Sequence, residues 1–332
     1  MTKSPDEISD FYDLGPSEIL DAVEMLGLKV DGSLLALNSY ENRVYRVGIE
    51  SDRPVVVKFY RPQRWTNETI LEEHHFALEL AEVDIPVVAP LQGPDGDSLY
   101  FHAGHRFAVF PCLGGRTPEL NGGDDYVLMG RFIGRIHAVG ALKAFKHRPT
   151  VDIDSYATQS YQYLLEKGFV PTELELAYRS LVEDVLPVLE ASYQQAGALR
   201  NIRLHGDCHA SNILWTDQGP HFVDLDDCRT GPAIQDLWML LNGSRQDMTA
   251  QIADLLDGYT EFYEFEPREL HLVEALRTMR LLHYSAWLAR RWDDPAFPRT
   301  FPWFNTNRYW EEQILALREQ FAMLQEPALV WN

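Results

Sequence analysis

Asp207, Asn212 and Asp224 lie in two neighbouring stretches, His205-Gly-Asp-Cys-His-Ala-Ser-Asn-Ile-Leu-Trp215 and Phe222-Val-Asp-Leu-Asp-Asp227. Moving a phosphoryl group onto a hydroxyl takes a carboxylate that orients the attacking oxygen and an amide oxygen for one magnesium. It also takes a second carboxylate that bridges metal and phosphate oxygens. These three side chains supply that set, and Asp224 closes an apolar run that reads as a short strand.

The offset of five from Asp207 to Asn212 matches the kinase pattern H-R-D-x-x-x-x-N, with Asp224 where the D-F-G aspartate would sit. Gly206 replaces the Arg, and Leu225-Asp226 replaces Phe-Gly. In those departures the loop resembles the H-G-D-x-H-x-x-N loop of the aminoglycoside phosphotransferase and choline kinase superfamily rather than ordinary eukaryotic-type protein kinases. The resemblance implies an α+β, protein kinase-like (aminoglycoside phosphotransferase-like) bilobal fold. Its small antiparallel-sheet N-terminal nucleotide-binding lobe would cover 1–110, its hinge 111–115, and its larger, mainly helical catalytic and acceptor-binding lobe 116–332. ATP and Mg2+ are the cofactors it implies.

Periodicity supplies the elements that must position these groups. Pro16 to Leu28 carries Ile19, Leu20, Val23 and Leu26 at helical spacing, with Pro16 suited to a first turn. Ser33 to Leu37, Val44 to Ile49 and Pro54 to Tyr60 read as strands of an antiparallel sheet. Thr66 or Asn67 caps a helix through Ile70, Phe76 and Leu80, which Ile85-Pro-Val-Val-Ala-Pro90 ends. Leu99 to Phe101 and Phe107 to Phe110 are two further strands around a turn at Ala103-Gly104. From Asp124 onward helical spacing dominates, interrupted mainly around 200 to 232.

The third strand, Pro54-Val-Val-Val-Lys58-Phe-Tyr60, resembles the V-A-I-K strand whose Lys holds the α and β phosphates and pairs with a helical Glu. A lone Lys after three valines is in isolation more often a solvated edge-strand residue. About 150 residues ahead of a D-x-x-x-x-N loop, and in the right order, it reads as functional. The resemblance puts the pairing Glu at Glu73, with Glu72 as competitor; neighbours lie about 100° apart on a helix, so only one faces a cleft.

Where a kinase has its Gly-rich loop, this chain has Asn38-Ser-Tyr-Glu-Asn-Arg-Val-Tyr45 and no glycine. Backbone N–H groups and the Ser39 hydroxyl still suit a phosphate there, and Asn38 and Asn42 tolerate left-handed turn geometry. An ordinary hairpin loop is the plainer reading of the same residues. Phe107-Ala-Val-Phe-Pro-Cys-Leu-Gly-Gly-Arg116 ends a strand in Pro and two glycines, as a lobe hinge does. In a kinase the hinge backbone meets the adenine edge, which nominates main-chain groups from Phe110 through Cys112 to Leu113. A simple strand-to-helix linker is compatible with the same sequence.

Composition bounds the rest. A chain of 332 residues, 45% hydrophobic, has ample core for two lobes and is globular rather than disordered. Met1-Thr-Lys-Ser-Pro-Asp-Glu7 has no cationic segment before an apolar run, and no apolar stretch is long enough to cross a bilayer, so a cytosolic protein is expected. Cys112, Cys208 and Cys228 are odd in number and lack C-x-x-C spacing, against a disulfide framework or a cysteine zinc site. A net charge of −21 repels a phosphate backbone and argues against nonspecific nucleic-acid binding, while one magnesium nucleotide needs only local cations.

Around the loop, His205, Cys208 and His209 lack the separated ligand pairs of a zinc site. In the superfamily the first His of H-G-D is structural, which assigns His205. On a strand Asp226 would share a side with Asp224 and reach a metal, though an exposed or loop-bonded carboxylate is the simpler expectation. Asp236, in Pro232-Ala-Ile-Gln-Asp-Leu-Trp238, looks like the superfamily Asp that braces the catalytic loop.

Five phrases narrow the resemblance: the Asn38–Tyr45 loop, Val57-Lys-Phe-Tyr-Arg-Pro-Gln-Arg-Trp65, Ile70-Leu-Glu-Glu-His, the His205–Trp215 loop and Val223-Asp-Leu-Asp-Asp. Together they are similar to the stress response kinase A (YihE/RdoA) family over nearly the whole chain. That family consists of cytoplasmic, magnesium-dependent serine/threonine protein kinases linked to envelope and oxidative stress. The resemblance implies Asp207 as proton acceptor, Asn212 and Asp224 as magnesium ligands, with Asp224 also counted in the catalytic set, and Ser39, Lys58, Glu73, Phe110 and Cys112 around ATP. The expected partner is a protein with a Ser/Thr acceptor, or a small-molecule alcohol such as homoserine, choline or an aminoglycoside. The protein would act as a monomer, without nucleic acid or membrane.

The shared site does not reveal the acceptor. Trp292, Phe297, Phe301, Trp303, Phe304 and Tyr309 either line an acceptor groove or fill core between the last helices. A catalytically dead nucleotide-binding scaffold is opposed by the intact Lys58, Asp207, Asn212 and Asp224. A metal-dependent phosphatase or nuclease gives no reason for the valine-lysine strand or the hinge.

Overall fold

The computed structural model describes residues 11, 14–217 and 219–331; the reading of Met1 to Glu7 as free of a leader falls outside them. The early elements are α1 (Pro16–Glu24), β1 (Val30–Ala36), β2 (Arg43–Ile49), β3 (Val55–Phe59), α2 (Asn67–Glu82), β4 (Tyr100–His102) and β5 (His105–Pro111). There follow α3 (Gly123–Gly140), α4 (Gln159–Glu166), α5 (Thr172–Ala196), β6 (Ile202–Leu204), β7 (Ile213–Thr216), β8 (Gly219–Phe222) and β9 (Arg229–Gly231). The chain ends in α6 (Ile234–Trp238), α7 (Arg245–Tyr259), α8 (Val273–Ala289), α9 (Ala296–Thr300) and α10 (Asn307–Leu324). The first five strands and both early helices fall on the runs that periodicity predicts, within a few residues at each end.

These elements form two compact units. Of the described residues, one unit takes in those up to Leu120, the segment Phe145–Arg148, and those within Asp207–Cys228; the other takes in Asn121–Ala144, Pro149–Gly206 and those from Arg229 onward. Residues before the expected hinge and the whole Asp207–Asp224 region therefore belong to one unit.

In the first unit five strands form an antiparallel sheet in the order β1-β2-β3-β5-β4. Alternation along β3 sends Val55, Val57 and Phe59 to one face, where they pack with Val47, Phe107 and Val109 against Ile19 and Val23 of α1. Lys58 points to the other face, which Ile70 of α2 helps cover along with Tyr60 and Ala108. Thr66 caps α2 by accepting the Thr69 N–H at 3.3 Å. Buried positions 70, 73, 74, 76, 77 and 80 then form one stripe of that helix. The hairpin β7–β8 completes the unit, with Phe222 bridging to Val87.

The second unit is helical apart from the pair β6–β9, in which Ile202 faces Gly231 and Leu204 faces Arg229. Helices α3 and α7 meet backbone to backbone: a Cβ built on Gly130 would stand 1.9 Å from the Leu255 carbonyl oxygen, and one on Gly258 1.9 Å from that of Val127. Only glycine permits that approach. Most of the late aromatics are core: Phe297, Phe301, Phe304 and Trp310 are buried, with Phe304 packed edgewise on Trp292 at 4.9 Å. Trp303 alone among the large apolar side chains of that segment is well exposed, at 44%. Among the described residues no helix is long and apolar enough to cross a membrane.

Candidate active site

Lys58 is the centre of a buried charge cluster in the first unit. Its Nζ lies 3.2 Å from Glu73 Oε1, 3.1 Å from Asp224 Oδ1 and 3.2 Å from Asp226 Oδ1. Burial by itself pulls the Lys58 ammonium down, but the carboxylates of Asp226, Glu73 and Asp224 outweigh it and hold the group well above the ordinary lysine value. The choice between Glu72 and Glu73 follows from the helix. Glu73 lies on the buried stripe of α2, whereas Glu72, turned about 100° away, accepts the main-chain N–H groups of Lys146, His147 and Arg148 at 2.7, 2.8 and 3.0 Å.

Two arginines close the cluster. Arg148 donates to Glu73 Oε2 at 3.0 Å and to the Asp226 carbonyl oxygen at 2.8 Å. Arg64 donates to Asp227 Oδ1 at 2.7 Å and also bonds Asp226 Oδ2. Lys58, Arg64 and Arg148 thus stand against Glu73, Asp224, Asp226 and Asp227, the near-balance a buried set needs if desolvation is to be offset. For Asp226 burial alone would raise the carboxyl, but Arg64 and Lys58 prevail and keep it below its usual range.

Asp224 does not sit on a strand. It takes left-handed backbone, φ 60° and ψ 62°, between β8 and a tight turn over Leu225–Asp227. Aspartate tolerates that conformation better than most residues. The strand that alternation assumed is absent, yet Asp226 and Asp224 still meet, both within 3.2 Å of Lys58 Nζ. Asp226 is neither exposed nor loop-bonded alone but 3% exposed and ion-paired, while the Asp224 side chain is 55% exposed.

In the loop itself Asn212 Nδ2 donates to the Asp207 carbonyl oxygen at 2.9 Å and lies 3.4 Å from Asp207 Oδ2. With its N–H2 turned to Asp207, Asn212 leaves its amide oxygen outside those contacts. His209 Nε2 lies 3.3 Å from Asp207 Oδ2, giving it a place beside the carboxylate. Within the second unit Asp236, 1% exposed, accepts the N–H of His205 and of Gly206 at 2.8 Å each and meets His137 Nε2 at 3.0 Å. Gly206 has φ 84°, a conformation an Arg would resist.

Ser39 lies half-buried in the loop between β1 and β2, and Arg61 secures that loop. Arg61 Nε donates to the Glu41 carbonyl at 2.8 Å and Nη2 to the Tyr40 carbonyl at 3.2 Å. Among the described residues with left-handed backbone neither Asn38 nor Asn42 appears; Asn42 instead accepts the Arg61 N–H at 3.0 Å. Phe110, one residue before the end of β5, lies opposite Val56, and its ring lies 6.0 Å from Lys58 Nζ. Cys112 follows, half-buried. Just beyond it Arg116 pairs with Trp215 of β7 through N–H to O distances of 3.1 and 2.7 Å. A shallow hollow of about 280 Å³ is lined by Leu113, Gly114, Thr216, Asp217 and His221.

The model of a phosphotransferase enzyme family matches residues 33–282. The chain belongs to that family. Within it the phosphotransferase is 46% identical over 319 residues to stress response kinase A of Escherichia coli strain K12, covering 96% of both chains. It is 44% identical over 324 residues to serine/threonine protein kinase RdoA of Salmonella typhimurium strain LT2, covering 98% of both. A solved amicoumacin kinase, in complex with AMP-PNP, Ca2+ and Ami, shares the fold with a TM-score of 0.72 at 18% identity, over 97% of this chain and 96% of that one. The protein is thus a phosphotransferase of kinase-like α+β fold, grouped with the stress response kinases.

Of the residues singled out in the sequence, the structure brings Lys58, Glu73 and Asp224 together, and Asp207 with Asn212. The sequence pattern gave no role to Arg61, Arg64 or Arg148. The first two stand in the phrase Tyr60-Arg-Pro-Gln-Arg-Trp65, where two arginines flanking a proline just after the lysine strand were the available signal. Nothing local marks Arg148.

Proposed function

We propose that the protein is an ATP- and Mg2+-dependent serine/threonine protein kinase of a bacterial stress response, envelope or oxidative, acting as a cytoplasmic monomer. The observation that carries the reading is Lys58 held between Glu73 and Asp224 at 3.2 and 3.1 Å, in a chain whose relative at 44% identity is named a serine/threonine protein kinase.

Phosphoryl transfer asks the protein chiefly to position groups and neutralise charge. On this reading Lys58 exchanges Asp224 for the α and β phosphates while Glu73 retains it. Ser39 and the N–H groups of its loop face the phosphates, and main-chain groups from Phe110 through Cys112 meet the adenine edge. Asp207 orients the acceptor hydroxyl and takes its proton late. Asn212 and Asp224 fit magnesium: both offer hard oxygen donors, and Asp224 is open to solvent. Among the described residues no three His, Cys, Asp or Glu side chains are arranged to hold a metal ion by themselves, which suits an ion completed by phosphate oxygens and water. When bound, magnesium offsets charge on the leaving oxygen. The division at a 111–115 hinge into lobes over 1–110 and 116–332 is part of the same proposal.

The test is transfer of labelled γ-phosphate from magnesium ATP by the purified protein, offered itself, a generic basic protein, and a panel of small alcohols and aminoglycosides, with Asp207→Ala as control. Label on protein serine or threonine, absent in the variant, supports the reading. Label only on a small alcohol moves the chain to the metabolite kinases, and no label from the wild type refutes the kinase assignment.

A further inference from the structure

Asp236 grips the loop ahead of Asp207, and the turn that carries Asp236 must itself be held. That turn opens α6, a short helix whose first N–H groups have no acceptor inside the helix. Glu269, from the turn Pro267–Leu272, supplies one: its Oε2 accepts the Ile234 N–H at 2.9 Å, and the Ala233 N–H also bonds to it. Glu269 is 2% exposed, and among the described residues it forms no salt bridge. A carboxylate buried without a counter-ion is costly, so its reward must lie in what it holds. The two residues after Ile234 both reach Gly206. Gln235 Nε2 donates to the Gly206 carbonyl oxygen at 3.1 Å, and Asp236 takes the Gly206 N–H at 2.8 Å as well as that of His205. Three consecutive residues therefore join Glu269 to both peptide groups of the left-handed glycine that precedes Asp207.

We propose that Glu269 is a positioning residue for the catalytic loop, acting through the start of α6 and Asp236 to fix the peptide on which Asp207 is mounted. The proposal rests on the reading of Asp207 as the proton acceptor.

Burial pushes the Glu269 carboxyl up to about 7, against the pull of the Ile234 and Ala233 N–H groups; Glu266 adds to the rise and Arg200 opposes it. Tyr259 of α7 faces the same carboxyl. The ionised form is the stronger acceptor, so the grip tightens as Glu269 loses its proton. The folded-state value exceeds the unfolded one, so the protonated form adds stability that is full below the unfolded value and lost as pH rises toward 7. The grip is thus gained at the expense of stability.

Glu269→Gln keeps the shape and removes the charge. Its kcat for transfer from magnesium ATP to a generic basic protein is expected to equal that of the wild type near pH 6 and to fall about threefold below it near pH 8.5, with KM for ATP unchanged. Its Tm at pH 8 should be no lower than that of the wild type. Amide hydrogen exchange at His205 and Gly206, corrected for intrinsic rates and measured without nucleotide, should be faster in the variant at pH 8. Exchange unchanged at both amides, or a kcat ratio independent of pH, overturns the proposal. If the wild type transfers no label, the kinase reading falls by itself and exchange alone decides whether Glu269 holds the loop.

Discussion

Lys58 Nζ stands 3.1 Å from Asp224 Oδ1 although 166 residues separate them in the chain. The ammonium is thus aimed at the carboxylate proposed above as a magnesium ligand. Lys58→Met is expected to lower phosphoryl transfer about 10²-fold or more, since a preorganised charge at the reacting phosphates is lost. Steady-state transfer of labelled phosphate measures it, and a variant within a few-fold of the wild type would remove Lys58 from the site.

Asp207 and Asp224 separate by readout. Asp207→Ala should abolish transfer while leaving nucleotide affinity nearly intact, whereas Asp224→Ala should weaken both. Titration with a fluorescent ATP analogue in the presence of magnesium distinguishes them; equal loss of affinity in the two variants contradicts the assigned roles.

Arg148 ties Glu73 Oε2 to the carbonyl of Asp226 from a fully buried position. Arg148→Met should cost about 3 kcal/mol, because two acceptors are stranded and the carboxylates lose a counter-ion. Urea unfolding gives the loss. In a double-mutant cycle with Glu73→Gln the coupling should exceed about 1 kcal/mol; additivity would mean that the two side chains act independently.

His74 bonds Tyr60 Oη at 2.6 Å and Ser98 Oγ at 2.8 Å, and burial, with Lys58 and Arg148 nearby, lowers its imidazole to about 3. Its folded value lies below the unfolded 6.5. Unfolding therefore takes up a proton in acid, and stability is lost as pH falls from about 6.5 toward 3, by roughly 1.4 kcal/mol per unit. Glu269 works in the opposite sense between about 4.5 and 7. Unfolding at a series of pH values should show the acid limb flattened in His74→Gln, and the imidazole should remain neutral by NMR at pH 5. A titration of His74 near 6 would contradict the buried geometry.

Gly258→Ala would force a methyl group into the Val127 carbonyl oxygen, 1.9 Å from the Cβ position. Separation of α3 from α7 should cost about 2–4 kcal/mol. Thermal unfolding checks it, and an unchanged Tm would show that the two helices can part freely.

Much of this was readable in the residues. Period-two alternation around Lys58, the Thr66 cap and the break at Ile85-Pro-Val placed the sheet and α2, because each is a local preference that tertiary packing reinforced. The offset between Asp207 and Asn212 survived for the same reason, as a loop closed by its own hydrogen bonds. Asp226 did not: its burial depends on Arg64 and Arg148, which approach from 162 and 78 residues away. Alternation also carried a strand past its end, since the left-handed Asp224 breaks the period without a glycine to announce it. The late aromatics were ambiguous because core and groove use the same side chains.

The carboxylate of Glu72 gathers three successive N–H groups from residues 146–148, and the unit to which they belong is not complete until Cys228. During synthesis, where domains ordinarily fold as they emerge, about two thirds of the chain, 228 of 332 residues, must leave the ribosome before this unit can close. Until then the nascent sheet and α2 carry Lys58 and Glu73 without Arg148 or Asp226. A fragment ended at the expected hinge would keep the Lys58–Glu73 pair but never gain Arg148 or Asp226.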